Sequence, residues 1–216
     1  MGLKPEAECY SCFRRGFSDY ISRAGIPECE IESYMEPIGA NLRRGFTPPV
    51  AGVESWKLLR KNSKGGTDIF REEKRDFTAK MLLVYGDLKK RFQRRPDPGV
   101  EALAAATWGN LLDVGQGRPL PSVPELMDLF HKPLAVDRRE EFMKDLEKAD
   151  ILLILGDNAG ETVLDRLFLD LSGFGGQRFY MTREEPVMND ALLQDAEQAG
   201  LDSQASLLSS GVDMPA

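Results

Sequence analysis

The feature that most constrains the fold is the segment ILLILGDNAGETVLDRL, at residues 151–167. Five consecutive apolar residues, Ile151 to Leu155, run into a polar turn, and apolar residues then recur at the spacing of one helix face. A short apolar run without alternation is typical of a strand buried on both faces, and the spacing after it is typical of a helix that packs on the sheet. The segment therefore predicts a strand, a tight turn and a helix.

The same alternation continues along the rest of the chain. After the strand at 151–155 and a helix at 161–171, the sequence predicts a strand at 178–182, a helix at 191–199 and a strand at 205–209. A βαβαβ series implies a parallel sheet with right-handed crossovers, so the turns after the first two strands open on the same edge. Open α/β sheets bind their ligands at that edge.

The chain before residue 149 has a different pattern. Amphipathic stretches predict helices at 12–24, 69–92, 100–112 and 138–148. Segments rich in proline and glycine predict loops at GFTPPVAG (45–52), KNSKGGTD (61–68), RRPDPG (94–99) and GQGRPLPSVP (115–124). We therefore predict an α/β protein with a mainly helical part, residues 1–148, that packs on a Rossmann-like part, residues 149–216.

Composition limits the classes of partner. The chain has 216 residues, of which 42% are hydrophobic and 29% are charged, as is typical of a globular protein. Its net charge of −7 disfavours a general nucleic-acid or anionic-membrane surface and favours a small molecule or a protein as partner. The sequence contains neither an apolar stretch near the roughly 20 residues of a membrane helix nor the pattern of a signal peptide. We expect a cytoplasmic location.

The two turns at the predicted ligand edge carry oxygen-bearing side chains. Asp157 and Asn158 lie on the first turn, and Asn189 and Asp190 lie on the second. Oxygen ligands without histidine or thiolate suit magnesium, manganese or calcium more than zinc. Gly160 permits a close backbone approach, and the helix end after it favours an anion. The pattern is consistent with a cation beside a phosphate, although Asp and Asn are also common turn and cap residues.

Several segments resemble one known family. LGDNAGETVLDRL and TREEPVMNDALLQDA closely resemble the metal-dependent damage-control phosphatases, also called domain of unknown function 89 or acidic-residue methyltransferase-like proteins. DIFREEKRDF (68–77) is similar to the family's Asp-Pro-Phe/Tyr-x-x-x-Lys segment, and WGNLLD (108–113) is similar to its Gly-Asn-x-x-Asp motif. CYSC (9–12) is similar to the Cys-x-x-Cys of the prokaryotic branch.

The resemblance implies a divalent metal where the helical part meets the Rossmann-like part. By residue-to-residue matching, the implied metal ligands are Asp157, Asn158 and Asp190. Asn110 and Asp113 of the Gly-Asn-x-x-Asp motif are implied to line the same cavity. Family members hydrolyse phosphate monoesters, such as sugar phosphates and phosphopantetheine-like metabolites, with manganese, cobalt, nickel or magnesium. We therefore expect a phosphatase whose partner is a small phosphorylated metabolite.

Three acidic residues are candidates for the chemical step. Asp113 or Glu161 could accept a proton from the attacking water, and Asp157 could instead attack phosphorus to form a phospho-aspartate. Arg183 is a candidate phosphate contact, with an ordinary ion pair as the alternative, and Asn189 and Gly160 are further candidates for substrate binding.

The sequence departs from the family pattern in three places. Glu184 stands where the family usually has glycine, and Leu192 stands where it usually has threonine. The family also continues with further strands and a turn bearing Lys-Gly, so we expect the α/β part to be short at its carboxyl end.

The role of the three cysteines and the function of the protein each have alternative hypotheses. Cys9, Cys12 and Cys29 could form a second metal site or a redox site, or simply lie half-buried on helices. Two functional alternatives are carboxyl methylation with S-adenosylmethionine and a non-enzymatic relative that binds a metabolite. The sheet edge leaves a homodimer open.

Overall fold

The computed structural model of the chain describes residues 5–64, 66–112 and 121–211. The helices of the described residues are α1 (Ala7–Arg23), α2 (Ile31–Arg43), α3 (Pro48–Asn62), α4 (Arg71–Phe92), α5 (Pro98–Gly109), α6 (Val123–Phe130), α7 (Arg139–Leu146), α8 (Thr162–Leu171) and α9 (Leu193–Ala199). The strands are β1 (Ile151–Leu155), β2 (Gln177–Thr182) and β3 (Ser206–Ser209). Within these ranges, no helix has the length and apolar character required to cross a membrane.

The chain divides into two compact units. Of the described residues, the first unit contains those up to Phe70 together with Glu185–Met188, and the second contains those between Arg71 and Glu184 and those from Asn189 onward. The predicted boundary between residues 148 and 149 coincides with the change from helices to the sheet. The division of the chain into domains at this point stays a prediction. By compactness, helices α4 to α7 belong with the sheet.

The first unit is held together by aromatic side chains of α1, α2 and α3. Tyr20 makes edge contacts with Trp56 and Phe70, with ring centroids 5.4 and 5.7 Å apart. The indole N–H of Trp56 donates to the backbone oxygen of Pro186 over 2.8 Å. This bond ties the segment Glu185–Met188 into the same unit, although it lies far along the chain.

The second unit contains the predicted parallel sheet. β2 lies in the centre, with β1 and β3 on either side, and both pairs are parallel. The α/β fold class is therefore confirmed. The strand predicted at 151–155 has the bounds of β1, and the strands predicted at 178–182 and 205–209 each differ from β2 and β3 by one residue.

The prediction that β1 is buried on both faces is wrong. Ile151, Leu153 and Leu155 are 57%, 48% and 70% exposed, whereas Leu152 on the opposite face is buried. Leu152 joins the core with side chains of α8 and α9, such as Leu167 and Ala199. Two right-handed crossovers that advance in the same direction across a sheet place both helices on one face. The other face of β1 is therefore open.

Three predicted loops contain the start of a helix. α3 begins at Pro48 within 45–52, α5 begins at Pro98 within 94–99, and α6 begins at Val123 within 115–124. Proline fits the first turn of a helix because its missing N–H would have no partner there. At α6, Ser122 and Glu125 form a capping box, which is a local start signal. Proline and serine thus mark helix starts in these segments.

Gly160 packs against the core of the second unit. A Cβ at this position would overlap the ring of Phe77, a buried residue of α4. Glycine is therefore required for the turn after β1 to reach the helix beneath it.

We predict that Gly160→Ala lowers the free energy of unfolding by about 1–3 kcal/mol, because the added methyl group must displace the Phe77 ring. Gly86→Ala on α4 is the matched control, since a Cβ there meets no atom within 4 Å. This control should gain about 0.5–1 kcal/mol from the higher helix propensity of alanine. Urea unfolding measures both changes, and equal stability of the two variants would contradict the prediction.

Candidate functional site

Backbone hydrogen bonds join the two turns at the carboxyl edge of the sheet. Asn158 of the first turn and Asp190 of the second form an isolated antiparallel bridge. The Ala191 N–H donates to the backbone oxygen of Asp157 over 2.6 Å, and the Ala159 N–H donates to that of Asn189 over 3.0 Å. The side chains predicted to hold a metal therefore start from one rigid backbone framework.

Amide side chains surround the carboxylate of Asp157. The Asn110 amide, just after α5, donates to Asp157 Oδ2 over 2.8 Å, and the Asn158 amide donates to the same oxygen over 3.2 Å. Asn158 Nδ2 also lies 3.4 Å from Glu161 Oε2. The Asn189 amide donates to Asn158 Oδ1 over 2.7 Å. These contacts bring together five of the predicted site residues.

Asp190 is buried beside two cationic side chains. Arg183 Nε donates to Asp190 Oδ2 over 2.8 Å, and Lys74 Nζ lies 3.4 Å from the backbone oxygen of Asp190. Lys74 also forms an ion pair of 2.9 Å with Asp195, and both side chains are at least 95% buried. Asp195 in turn accepts a bond from the Leu192 N–H. Lys74 and Asp195 thus contact the backbone of the second turn from its buried side.

Burial raises the pKa of several carboxyl groups at this edge. Burial raises the pKa of Glu161 to about 8, and the charges of Asp165 and Asp157 contribute. Burial also raises the pKa of Asp165 to about 7, against the hydrogen bond that it accepts from Tyr180. The pKa of Asp190 rises to about 6 through burial, which the bond from Arg183 opposes. Several carboxyl groups here therefore resist ionisation in the absence of a bound cation.

The donor set fits a divalent cation. In the hydrogen bonds described above, Asp157 and Asp190 each accept through Oδ2, and these bonds do not involve Oδ1 of either residue. The amide oxygen of Asn158 accepts from Asn189 and has a second lone pair. Two carboxylates and an amide are ligands that suit magnesium or manganese. Among the described residues, no group of three His, Cys, Asp or Glu side chains could hold an ion. The predicted ligand set therefore differs from such a group by including an amide oxygen, that of Asn158.

Other predicted residues lie apart or gain a different explanation. Asp113 lies outside the described residues. The close approach permitted by Gly160 is to Phe77, and its part in substrate binding stays a prediction. Cys9 and Cys12 lie on α1 in the first unit, and Cys29 lies in the short 3₁₀ turn before α2. All three thiols are free, and within the described chain they belong to no metal-binding group.

Lys74 and Asp195 were not among the predicted site residues. Lys74 lies four residues after Phe70 and three before Phe77, on the apolar stripe of α4. A lysine on such a stripe needs a buried anion, so this position could have identified one partner. Asp195 gives no comparable signal, because it resembles an ordinary acidic residue near a helix start.

We predict that Asp165→Asn makes the metal-free chain less sensitive to pH. The raised pKa of Asp165 means that the folded state favours the protonated carboxyl group. Asp165 therefore has no effect on stability below about pH 4, where it is protonated in both states, and it destabilises the folded state above that pH. The contribution of Asp165 to the free energy of unfolding of wild type should fall between about pH 4 and pH 7, by about 1.4 kcal/mol for each unit of pKa difference.

Urea unfolding at about pH 5 and pH 8, with a chelator present, measures this effect. The advantage of Asp165→Asn over wild type should be larger at the higher pH. Asp202→Asn, which changes an exposed carboxylate, is the control variant. A pH-independent difference for Asp165→Asn would contradict the prediction.

Comparisons with known proteins agree with this architecture. The sequence model described as the damage-control phosphatase ARMT1-like domain matches residues 7–216. "Uncharacterized protein MJ0202" of Methanocaldococcus jannaschii is 27% identical over 98% of this chain and 73% of its own length. "Damage-control phosphatase PH1575" of Pyrococcus horikoshii is 26% identical over 97% of this chain and 74% of its own length.

A solved structure shares the fold. The crystal structure of a DUF89 family protein from Pyrococcus horikoshii matches with a TM-score of 0.80 and 22% identity. The match covers 99% of this chain and 76% of that chain. With the family model matched over nearly the whole sequence, the chain belongs to the family of damage-control phosphatases with an ARMT1-like domain.

Proposed function

We propose that this chain is a metal-dependent phosphatase that hydrolyses small phosphate monoesters, such as sugar phosphates or phosphopantetheine-like metabolites. The observation that carries the proposal is the convergence of Asp157, Asn158 and Asp190 on two bridged turns. The name of the Pyrococcus horikoshii relative supports the same activity. The proposed cofactor is manganese, magnesium, cobalt or nickel.

Asp157, Asn158 and Asp190 would hold the cation. When bound, such an ion neutralises charge on the phosphate oxygens and makes a water molecule more acidic. Asn110 and Asn158 orient Asp157 by donating to one of its oxygens, and Asn189 orients Asn158 in the same way. These amides reduce the side-chain freedom that ligand binding would otherwise have to restrict.

Glu161 is the proposed general base. Its carboxylate lies beside Asn158, and its raised pKa makes it a stronger base than an ordinary glutamate. In the proposed reaction, water attacks phosphorus while Glu161 accepts the proton, the P–O bond to the alcohol breaks, and the leaving oxygen takes up a proton from solvent. Asp113 is the other proposed base.

Attack by Asp157 on phosphorus is the competing route. The bonds that Asp157 Oδ2 accepts from two amides favour a holding role over a nucleophilic one, because they withdraw charge from the carboxylate. Arg183 would add a positive charge beside the phosphate, held in place by its bond to Asp190. Cytoplasmic location and oligomeric state stay predictions.

We predict that Asp190→Asn abolishes metal-dependent hydrolysis, with a loss greater than about 10²-fold in kcat/KM, because a charged ligand becomes neutral. Hydrolysis of p-nitrophenyl phosphate and a panel of sugar phosphates with Mn²⁺ measures the effect. Far-UV circular dichroism monitors the fold, and Asp202→Asn serves as a control remote from the turns. Near-wild-type activity of Asp190→Asn would refute the ligand assignment.

Glu161→Gln tests the proposed base separately. We expect kcat to fall by about 10²–10⁴-fold while the Mn²⁺ dissociation constant changes little, because Glu161 accepts a proton and is not a proposed ligand. Glu197→Gln, an exposed glutamate on α9, is the matched control and should retain full activity. If Glu161→Gln keeps its kcat, the base is another residue.

A further inference from the structure

Tyr180 lies directly beneath the turn that carries Asp157. It belongs to the central strand β2, opposite Ile154 of β1, and its side chain is fully buried. A Cβ placed on Gly156 would lie 2.5 Å from the phenol oxygen of Tyr180 and 2.6 Å from Cε1. The backbone of Gly156 therefore rests on this ring, and Asp157 is the next residue.

The phenol of Tyr180 is held by Asp165. Its O–H donates to Asp165 Oδ2 over 2.7 Å, and Asp165 is only 7% exposed. Asp165 lies one helical turn after Glu161, on the same side of α8. One buried hydrogen bond thus connects the end of β1, the centre of β2 and the helix next to Glu161.

The hydrogen bond between Tyr180 and Asp165 restricts the orientation of the Tyr180 ring more than an apolar contact would. A phenylalanine would fill nearly the same volume, but it would leave a buried carboxyl group without its donor. A hydrogen bond with a defined direction orients the ring, and the ring packs so closely against Gly156 that no Cβ would fit between them.

We propose that Tyr180 and Asp165 form a positioning pair that sets the affinity of the Asp157 turn for a divalent cation. The pair would act through the backbone of Gly156, against which the Tyr180 ring packs. This inference rests on the metal site of the proposed function, but it concerns affinity for the ion alone and does not require turnover.

The test is a calorimetric titration of Mn²⁺ into the metal-free full chain, without substrate. Tyr180→Phe should weaken Mn²⁺ binding by about tenfold or more, as is usual when support around a metal ligand is lost. Asp165→Asn removes the charge that acts on Asp157 but keeps an oxygen that can accept from Tyr180, so it should bind Mn²⁺ more tightly than a variant without the acceptor. Asp165→Ala removes the acceptor and should weaken binding as Tyr180→Phe does.

Tyr85→Phe is the matched control. The Tyr85 phenol also donates to a carboxylate of α8, that of Asp170, which Lys89 binds as well. It makes no contact with either turn among those found in the described residues. Tyr85→Phe should therefore lower thermal stability while leaving the Mn²⁺ dissociation constant unchanged.

The outcomes separate positioning from general stability and from the proposed function. Wild-type Mn²⁺ affinity in a folded Tyr180→Phe, or an equal loss in Tyr85→Phe, overturns the positioning role. If Tyr180→Phe does not fold, the contrast between Asp165→Ala and Asp165→Asn decides in the same way. Failure of wild type to bind any of Mn²⁺, Mg²⁺, Co²⁺ and Ni²⁺ overturns both proposals. Mn²⁺ binding without hydrolysis overturns the phosphatase alone, and the affinity comparison still stands.

Discussion

The backbone bridge between Asn158 and Asp190 joins two turns that are more than 30 residues apart in the chain. With the hydrogen bonds from Ala191 and Ala159 on either side, it makes the two turns one unit. Side chains on separate loops would lose conformational freedom on binding an ion, whereas side chains on a bridged framework have already lost most of it. The candidate site therefore owes its geometry to the backbone before any side chain contributes.

The charge at the carboxyl edge of the sheet is set by the acidic residues of the two turns and by the cationic side chains beside them. Acidic residues cluster at the two turns, and burial raises the pKa of Glu161 and Asp190. Arg183 and Lys74 compensate part of this charge from the side of the second turn. A divalent cation would compensate more, since opposite charges close to a carboxyl group favour its ionised form. Burial, acidic residues and cationic support are the features of this edge on which the proposed metal site rests.

Both glycines of the first turn lie against aromatic rings. Gly156 lies on the ring of Tyr180, and Gly160 lies on the ring of Phe77. Any side chain at these two positions would lift the turn from the core, so the position of Asp157 depends on packing below it as well as on hydrogen bonds above it. The same packing leaves the opposite face of β1 exposed, because α8 and α9 both cover the Tyr180 side of the sheet.

The sequence by itself determined the bounds of β1 and the placing of Asp157 and Asp190 at one edge of a parallel sheet. Those inferences use signals that act over a few residues: an apolar run, turn residues and the handedness of crossovers. Only the tertiary structure decided that Lys74 meets Asp195, 121 residues away, and that Tyr180 meets Asp165, 15 residues away. It also decided which face of β1 is open. Such contacts depend on how helices pack on the sheet, and that packing is set by the whole core, which no local pattern encodes.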